Sequence, residues 1–180
     1  QSENHVVFQF GNWRLGFPLV ADARFPPVET ILPKREASTT ELTLAESDRT
    51  FLLDQLRQLP QQDRPQVTLD LNERVLVRVP GDDSHSPRGI VLRQSTFRGA
   101  DLMIETNPGY LQTALELGIT RFEFQGAQSP LLGRSRETTY LWMGLSGDPP
   151  PRPTELEEIV SPLSRGRSSS RRRPAHSVPA

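Results

Sequence analysis

Leu102-Met103-Ile104-Glu105-Thr106-Asn107-Pro108-Gly109-Tyr110-Leu111-Gln112-Thr113-Ala114-Leu115-Glu116-Leu117-Gly118 is the stretch that decides the fold. A strand over residues 101–105 hands over directly to a helix. Asn107 is a good N-cap, Pro108 suits the first helical position, and Gly118 suits the C-terminal stop. Tyr110, Leu111, Ala114 and Leu115 form the side to be buried. Upstream, residues 41–46 read as a short strand, followed by a helix that Ser47 caps, Asp48 supports in its first turn and Pro60 stops. Leu52, Leu56 and Leu59 fall on one stripe of that helix, flanked by Leu53. Between the helices lie four strand candidates, at residues 66–71, 74–79, 89–96 and 101–105, and three more follow at 119–125, 130–133 and 138–144. Residues 37–146 thus predict an α+β domain in the order β-α-β4-α-β3, two helices packed on antiparallel sheets.

Working outward, Asp22 to Pro33 carries prolines at 26, 27 and 33, which forbid helix and disfavour a central strand. Its apolar Phe25, Val28, Ile31 and Leu32 need burial, so residues 21–36 read as a docked connector. Before it, Val6 to Phe10 alternates, Gly11-Asn12 supplies a turn, and an apolar run resumes at Trp13, predicting a β-hairpin within residues 1–20. Val6-Val7-Phe8-Gln9-Phe10-Gly11 resembles Thr120-Arg121-Phe122-Glu123-Phe124-Gln125-Gly126, so the hairpin reads as the end of an earlier copy of the same domain or as a chance likeness. Residues 147–180 begin with a proline run and turn Ser/Arg-rich; they predict disorder, with at most a helical turn over 154–160.

The chain has 180 residues, 17 prolines, no cysteine and a net charge of −1. No cysteine means no disulfide, thiol nucleophile or thiolate metal site, and fits a reducing cytoplasm. No apolar run reaches the roughly 20 residues of a membrane span. The charge is uneven: residues 161–180 carry five arginines and no acid, which leaves 16 basic against 22 acidic residues, or −6, for residues 1–160. An acidic body argues against gripping nucleic acid with its whole surface. The arginine tail reads first as solvated chain and second as a phosphate-binding segment.

Catalysis finds no footing. His5, His85 and His176 lack partners at triad or metal spacing, Lys34 is the only lysine, and Asp82-Asp83 reads as an acidic turn. No enzyme site, metal or cofactor is expected. Phe122, Phe124, Tyr140 and Trp142 alternate within strands, as core packing requires, rather than forming a base-stacking platform. Arg49 and Arg57, on the first helix, are the candidates for DNA-backbone contact.

Taken together, three motifs resemble a family. Asp22-Ala23-Arg24-Phe25-Pro26-Pro27 through Ile31-Leu32-Pro33 resembles the inter-domain connector of bacterial sliding clamps, the β subunit of DNA polymerase III. Leu102 to Leu111, and Ser129-Pro130-Leu131-Leu132 followed by Tyr140 to Leu145, resemble that family's last domain. The resemblance covers residues 5–146 and implies a C-terminal clamp domain (37–146), its connector, and the last hairpin of a middle domain. It implies a non-enzymatic processivity factor that rings double-stranded DNA through sequence-independent backbone contacts and assembles as a homo-oligomer. It further implies a pocket for short peptides of polymerase, clamp loader and repair proteins, formed by Pro26, Thr30, Ile31, Pro130, Leu141, Met143, Gly144 and Leu145. Leu59 and Arg88 fall at the implied subunit interface. The chain departs from the family at Gly144, where proline is usual, at Thr30, where arginine is frequent, and in residues 87–92, which lack the family's acidic run. The alternative is a shortened clamp-like interaction module that does not encircle DNA.

Overall fold

In the computed structural model the chain divides into two compact units, Gln1–Leu32 and Pro33–Ala180. The described residues are 5–19, 32, 38–60, 63, 65–81, 86–145, 147 and 150–163. Most of the connector, including Pro26, Thr30 and Ile31, lies outside them, as do His85, His176, Asp82-Asp83 and the tail arginines.

The first unit holds the expected hairpin, β1 (His5–Phe10) and β2 (Trp13–Pro18), antiparallel with Phe8 opposite Leu15. Gly11, at φ 55°, takes the left-handed conformation that its tight turn requires. Cross-strand register puts Val6, Phe8, Phe10, Trp13, Leu15 and Phe17 on one face, and every one of them is exposed.

The second unit contains two five-stranded sheets. The first has the order β11-β10-β9-β3-β7, built from β3 (Thr40–Thr43), β7 (Thr96–Gly99), β9 (Arg121–Phe124), β10 (Leu131–Arg134) and β11 (Thr139–Trp142). The second has the order β12-β6-β5-β4-β8, built from β4 (Val67–Leu71), β5 (Val75–Val79), β6 (Arg88–Val91), β8 (Leu102–Thr106) and β12 (Glu157–Val160). Helices α1 (Glu46–Arg57) and α2 (Pro108–Glu116) pack on these sheets. The α+β class expected from sequence is the class found. Leu52, Leu53 and Leu56 of α1 and Leu111, Ala114 and Leu115 of α2 share one core with Val67, Leu69, Val77, Ile104, Phe122 and Trp142. Burial of such side chains contributes about 1.5–3 kcal/mol each.

Four expectations need correction. The run 89–96 is not one strand: a turn at Arg93-Gln94 divides it into β6 and β7, which belong to different sheets, so five strands separate the helices. Ser47 does not cap α1. The N-cap is Ala45, whose N–H donates to Ser95 Oγ at 3.1 Å, so a distant side chain replaces the local cap. Tyr110 is exposed rather than buried, because it follows Gly109 on the outer side of α2. Residues 150–163 are neither disordered nor helical. They end in β12, which adds to β6 in parallel, Ile159 beside Ile90.

The second helix follows its punctuation. Asn107 Oδ1 accepts from the Gly109 N–H at 2.8 Å, Pro108 opens the helix, and Gly118 stands beyond its end at φ 73°.

Candidate peptide-binding surface and helix face

The apolar run after β11 is positioned by two bonds across to β8. The buried Trp142 Nε1 donates to Thr106 Oγ1 at 2.8 Å, and the Leu145 N–H donates to the Glu105 carbonyl at 2.9 Å. The chain therefore leaves the first sheet at Trp142 and is fixed to the edge of the second by Leu145. Gly144 lies tight in this crossing: a Cβ there would stand 3.1 Å from the Glu105 carbonyl oxygen and 3.3 Å from Ile104 Cγ2. Phe122 packs edge-on against Trp142 with centroids 6.2 Å apart, and Tyr140 sits 5.2 Å from the same ring. These aromatics serve packing, as their alternation predicts.

Of the expected pocket residues, Pro130, Leu141, Gly144 and Leu145 are half-buried and Met143 is 57% exposed. Leu131, next to Pro130, approaches the Gly144 position to 3.4 Å, which places Pro130 and the crossing segment in one neighbourhood. This is an apolar, backbone-fixed surface with a flexible thioether at its centre, suited to an apolar anchor side chain.

The helix-face candidates are drawn into interhelical contacts. Arg49 Nε donates to both Glu46 carboxylate oxygens, at 2.9 and 3.0 Å, and its Nη1 donates to the Leu115 carbonyl near the end of α2. The bond from Arg49 holds the Glu46 carboxyl below its usual range, and Glu46 raises the Arg49 guanidinium in turn. Arg57 Nη2 reaches Glu116 Oε1 at 2.9 Å. Gln112 and then Arg57 hold the Glu116 carboxyl low. Outside the buried Asp48, the two helices carry Glu46, Asp54 and Glu116 against Arg49 and Arg57. Such a face presents no surplus of cations to phosphates.

Leu59 is half-buried against the core, and Arg88 opens β6, between Val79 of β5 and Glu157 of β12. The edge on which Arg88 sits is thus covered by the chain itself.

Sequence reasoning missed a buried ionic group on the outer face of the second sheet. Asp70 is fully buried and Arg78 nearly so, with Arg78 Nε 3.3 Å from Asp70 Oδ2 and Arg152 Nη2 3.1 Å from the same oxygen. Burial lowers the Arg78 pKa, against the opposing pull of Asp70. A concavity of about 710 Å³ opens beside the first sheet, but its Arg98–Glu41 (2.6 Å) and Arg134–Glu123 (3.2 Å) pairs link adjacent strands, a structural role. Among the described residues, no three His, Asp or Glu side chains are grouped to hold a metal ion. No helix among them is long and apolar enough to cross a membrane.

Two helices laid over a pair of five-stranded sheets, with the segment after β11 crossing from the first sheet to the edge of the second, define a DNA-clamp fold. The chain is similar to the DNA polymerase III β chain of Streptococcus pneumoniae TIGR4, with a TM-score of 0.64 and 19% identity over 82% of this chain. It is also similar to the sliding clamps of Bacillus subtilis (0.61, 22% identity) and Caulobacter crescentus (0.63, 22%), each again over 82% of this chain. It spans about 40% of the length of each of these clamps. No protein-family model and no curated protein matches the sequence.

Proposed function

We propose that this chain is a non-catalytic, clamp-like interaction module that binds short peptides of replication or repair proteins and does not encircle DNA. Residues 37–146 form its clamp domain, 21–36 its connector and 1–20 the last hairpin of a middle clamp domain, and it works in the cytoplasm. The carrying observation is the segment Leu141 to Leu145, stitched to β8 and left open at Met143. The peptide surface comprises Pro130, Leu141, Met143, Gly144 and Leu145, and the resemblance to the clamp family adds Pro26, Thr30 and Ile31 of the connector as further candidates. The ion-paired helix face argues against the DNA-encircling role, because Arg49 and Arg57 already serve acidic partners and the Leu115 carbonyl.

A second reading, the C-terminal portion of a ring-forming processivity clamp, is favoured by the uncovered apolar face of the hairpin. Six large apolar side chains on one side of two strands need a covering layer, as the further strands of a middle clamp domain would supply.

Titration of a fluorescent clamp-binding peptide against the intact chain tests the site. Leu145→Asp and Ile31→Asp should each weaken binding by about tenfold or more, since each replaces an apolar side chain of the proposed site with a charge. Wild-type affinity in both variants refutes the site assignment.

A further inference from the structure

The second sheet ends at a strand that the rest of the clamp domain does not supply. Without β12, β6 would be an edge whose backbone faces outward at alternate residues. The bonds to β12 show which ones: the Pro87 and Val91 carbonyls accept from the Glu157 and Ser161 N–H groups at 3.0 and 2.9 Å, and the Arg93 N–H donates to Ser161 Oγ at 2.9 Å. In a parallel ladder, Gly89 shares that outward orientation with Val91 and Arg93, while the Leu92 N–H turns inward to the Val75 carbonyl. A bare edge of this kind is a template for another strand.

Residues 150–163 meet that edge with side-chain recognition as well as ladder bonds. Arg78 Nη1 donates to the Pro150 and Pro151 carbonyls at 3.0 and 3.1 Å. Arg152 reaches down to the buried Asp70, and Arg74 pairs with Glu158. Leu156 lies over Gly89, where a Cβ would come within 2.6 Å of its Cδ2; Leu76 Cδ1 lines the same spot and Leu76 is fully buried. Ser161 is buried, and the Pro162 carbonyl accepts from Gln94 Nε2 at 3.0 Å. Proline, arginine, leucine and serine each have a matching receptor group in the sheet.

We propose that the β6 edge, with Asp70, Arg78 and Gly89 beside it, is a strand-acceptor site, and that its resident is the chain's own segment 150–163, which prevents the edge from pairing with a second copy of the chain. The specificity lies in three anchors: consecutive proline carbonyls on Arg78, an arginine on Asp70, and a leucine over the side-chain-free Gly89. A β-strand of other sequence gains the ladder but not the anchors.

The test uses two full-length variants, Ile159→Pro, which removes an edge-facing N–H, and Leu156→Asp, with Glu155→Ala as a control on the exposed side of the segment. Backbone hydrogen exchange at Gly89, Val91 and Arg93 should accelerate by about tenfold or more in both variants and not in the control, while Ile90 and Leu92, which face β5, keep their protection. In sedimentation velocity the wild type should be monomeric. Both variants should show concentration-dependent dimers that excess synthetic peptide 150–163 returns to monomer. Unchanged exchange at the three edge-facing amides overturns the proposal, as do variants that stay monomeric at every concentration. A wild-type dimer that Ile159→Pro converts to monomer also overturns it, because the segment would then sit on a partner.

Discussion

Asp48 shows how one side chain can hold three segments. It is completely buried at the start of α1, and its Oδ2 accepts from the Gln94 N–H at 2.8 Å and from Ser95 Oγ at 2.7 Å. Ser95 in turn accepts from the Ala45 N–H, so the carboxylate ties the helix N-terminus to the turn that separates β6 from β7. Asp48→Ala would leave these donors without their acceptor inside the protein. Stability should fall by about 3 kcal/mol, read as a shift of the urea midpoint at unchanged slope. A loss below about 1 kcal/mol would mean that water replaces the carboxylate. Sequence reading places Asp48 in the first helical turn and assigns it no partner outside the helix. Its true partners are 46 and 47 residues away, and helix-end preferences are local. Asp70 was hidden for a related reason. In Val67-Thr68-Leu69-Asp70-Leu71 the alternation reads as one apolar and one wet face, and only the returning segment with Arg152 makes the second face dry.

Elements with their own punctuation were legible. Helix α2 carries its N-cap, its proline and its terminal glycine within its own residues, and the structure places all three where those roles require. The strands β4, β5, β9, β10 and β11 follow from apolar alternation. Residues 89–96 were misread as one strand because the chain stays apolar and β-branched up to Leu92 and the turn at Arg93-Gln94 lacks glycine or proline. β12 was missed because a proline-rich lead carries no periodicity; such a segment docks in extended form through carbonyls rather than through an apolar stripe. At the end of β7 one residue fixes how the first sheet closes. Gly99 has φ 104°, and a Cβ would fall 1.9 Å from the Thr39 carbonyl oxygen, which itself accepts from the Ala100 N–H at 3.1 Å. Gly99→Ala must push β7 away from β3, breaking that bond and disturbing the one from Thr40 Oγ1 to the Ala100 carbonyl. The expected loss is roughly 3 kcal/mol, with faster exchange confined first to β3 and β7. Wild-type stability in this variant would show that the edge of the sheet yields at little cost.

For the molecule as a whole, the balance of charge decides between a ring element that touches DNA and a module that does not. Non-specific DNA binding comes from cations that replace counterions along the phosphates, so it needs a surplus of arginine or lysine on the approaching face. Residues 1–160 carry a charge of −6, and outside the core the two helices contribute three acids, Glu46, Asp54 and Glu116, against two arginines. Arg57 is paired across to Glu116, and Arg49 commits its guanidinium to Glu46 and to the Leu115 carbonyl, which also accepts from the Gly118 N–H at 3.0 Å at the end of α2. Removing either arginine should therefore cost stability and leave DNA affinity untouched. Filter binding of the intact chain to a duplex oligonucleotide at low salt should give retention at background, the same for wild type, Arg49→Ala and Arg57→Ala, while the urea midpoint falls most for Arg49→Ala because that change removes both the Glu46 pair and the bond that ties α1 to the Leu115 carbonyl of α2. Retention well above background that weakens in Arg57→Ala, with a shallower dependence on salt, would return the helices to the role of a DNA-facing lining. Retention lost only when residues 164–180 are removed would instead locate it in the arginine-rich end, outside the clamp domain.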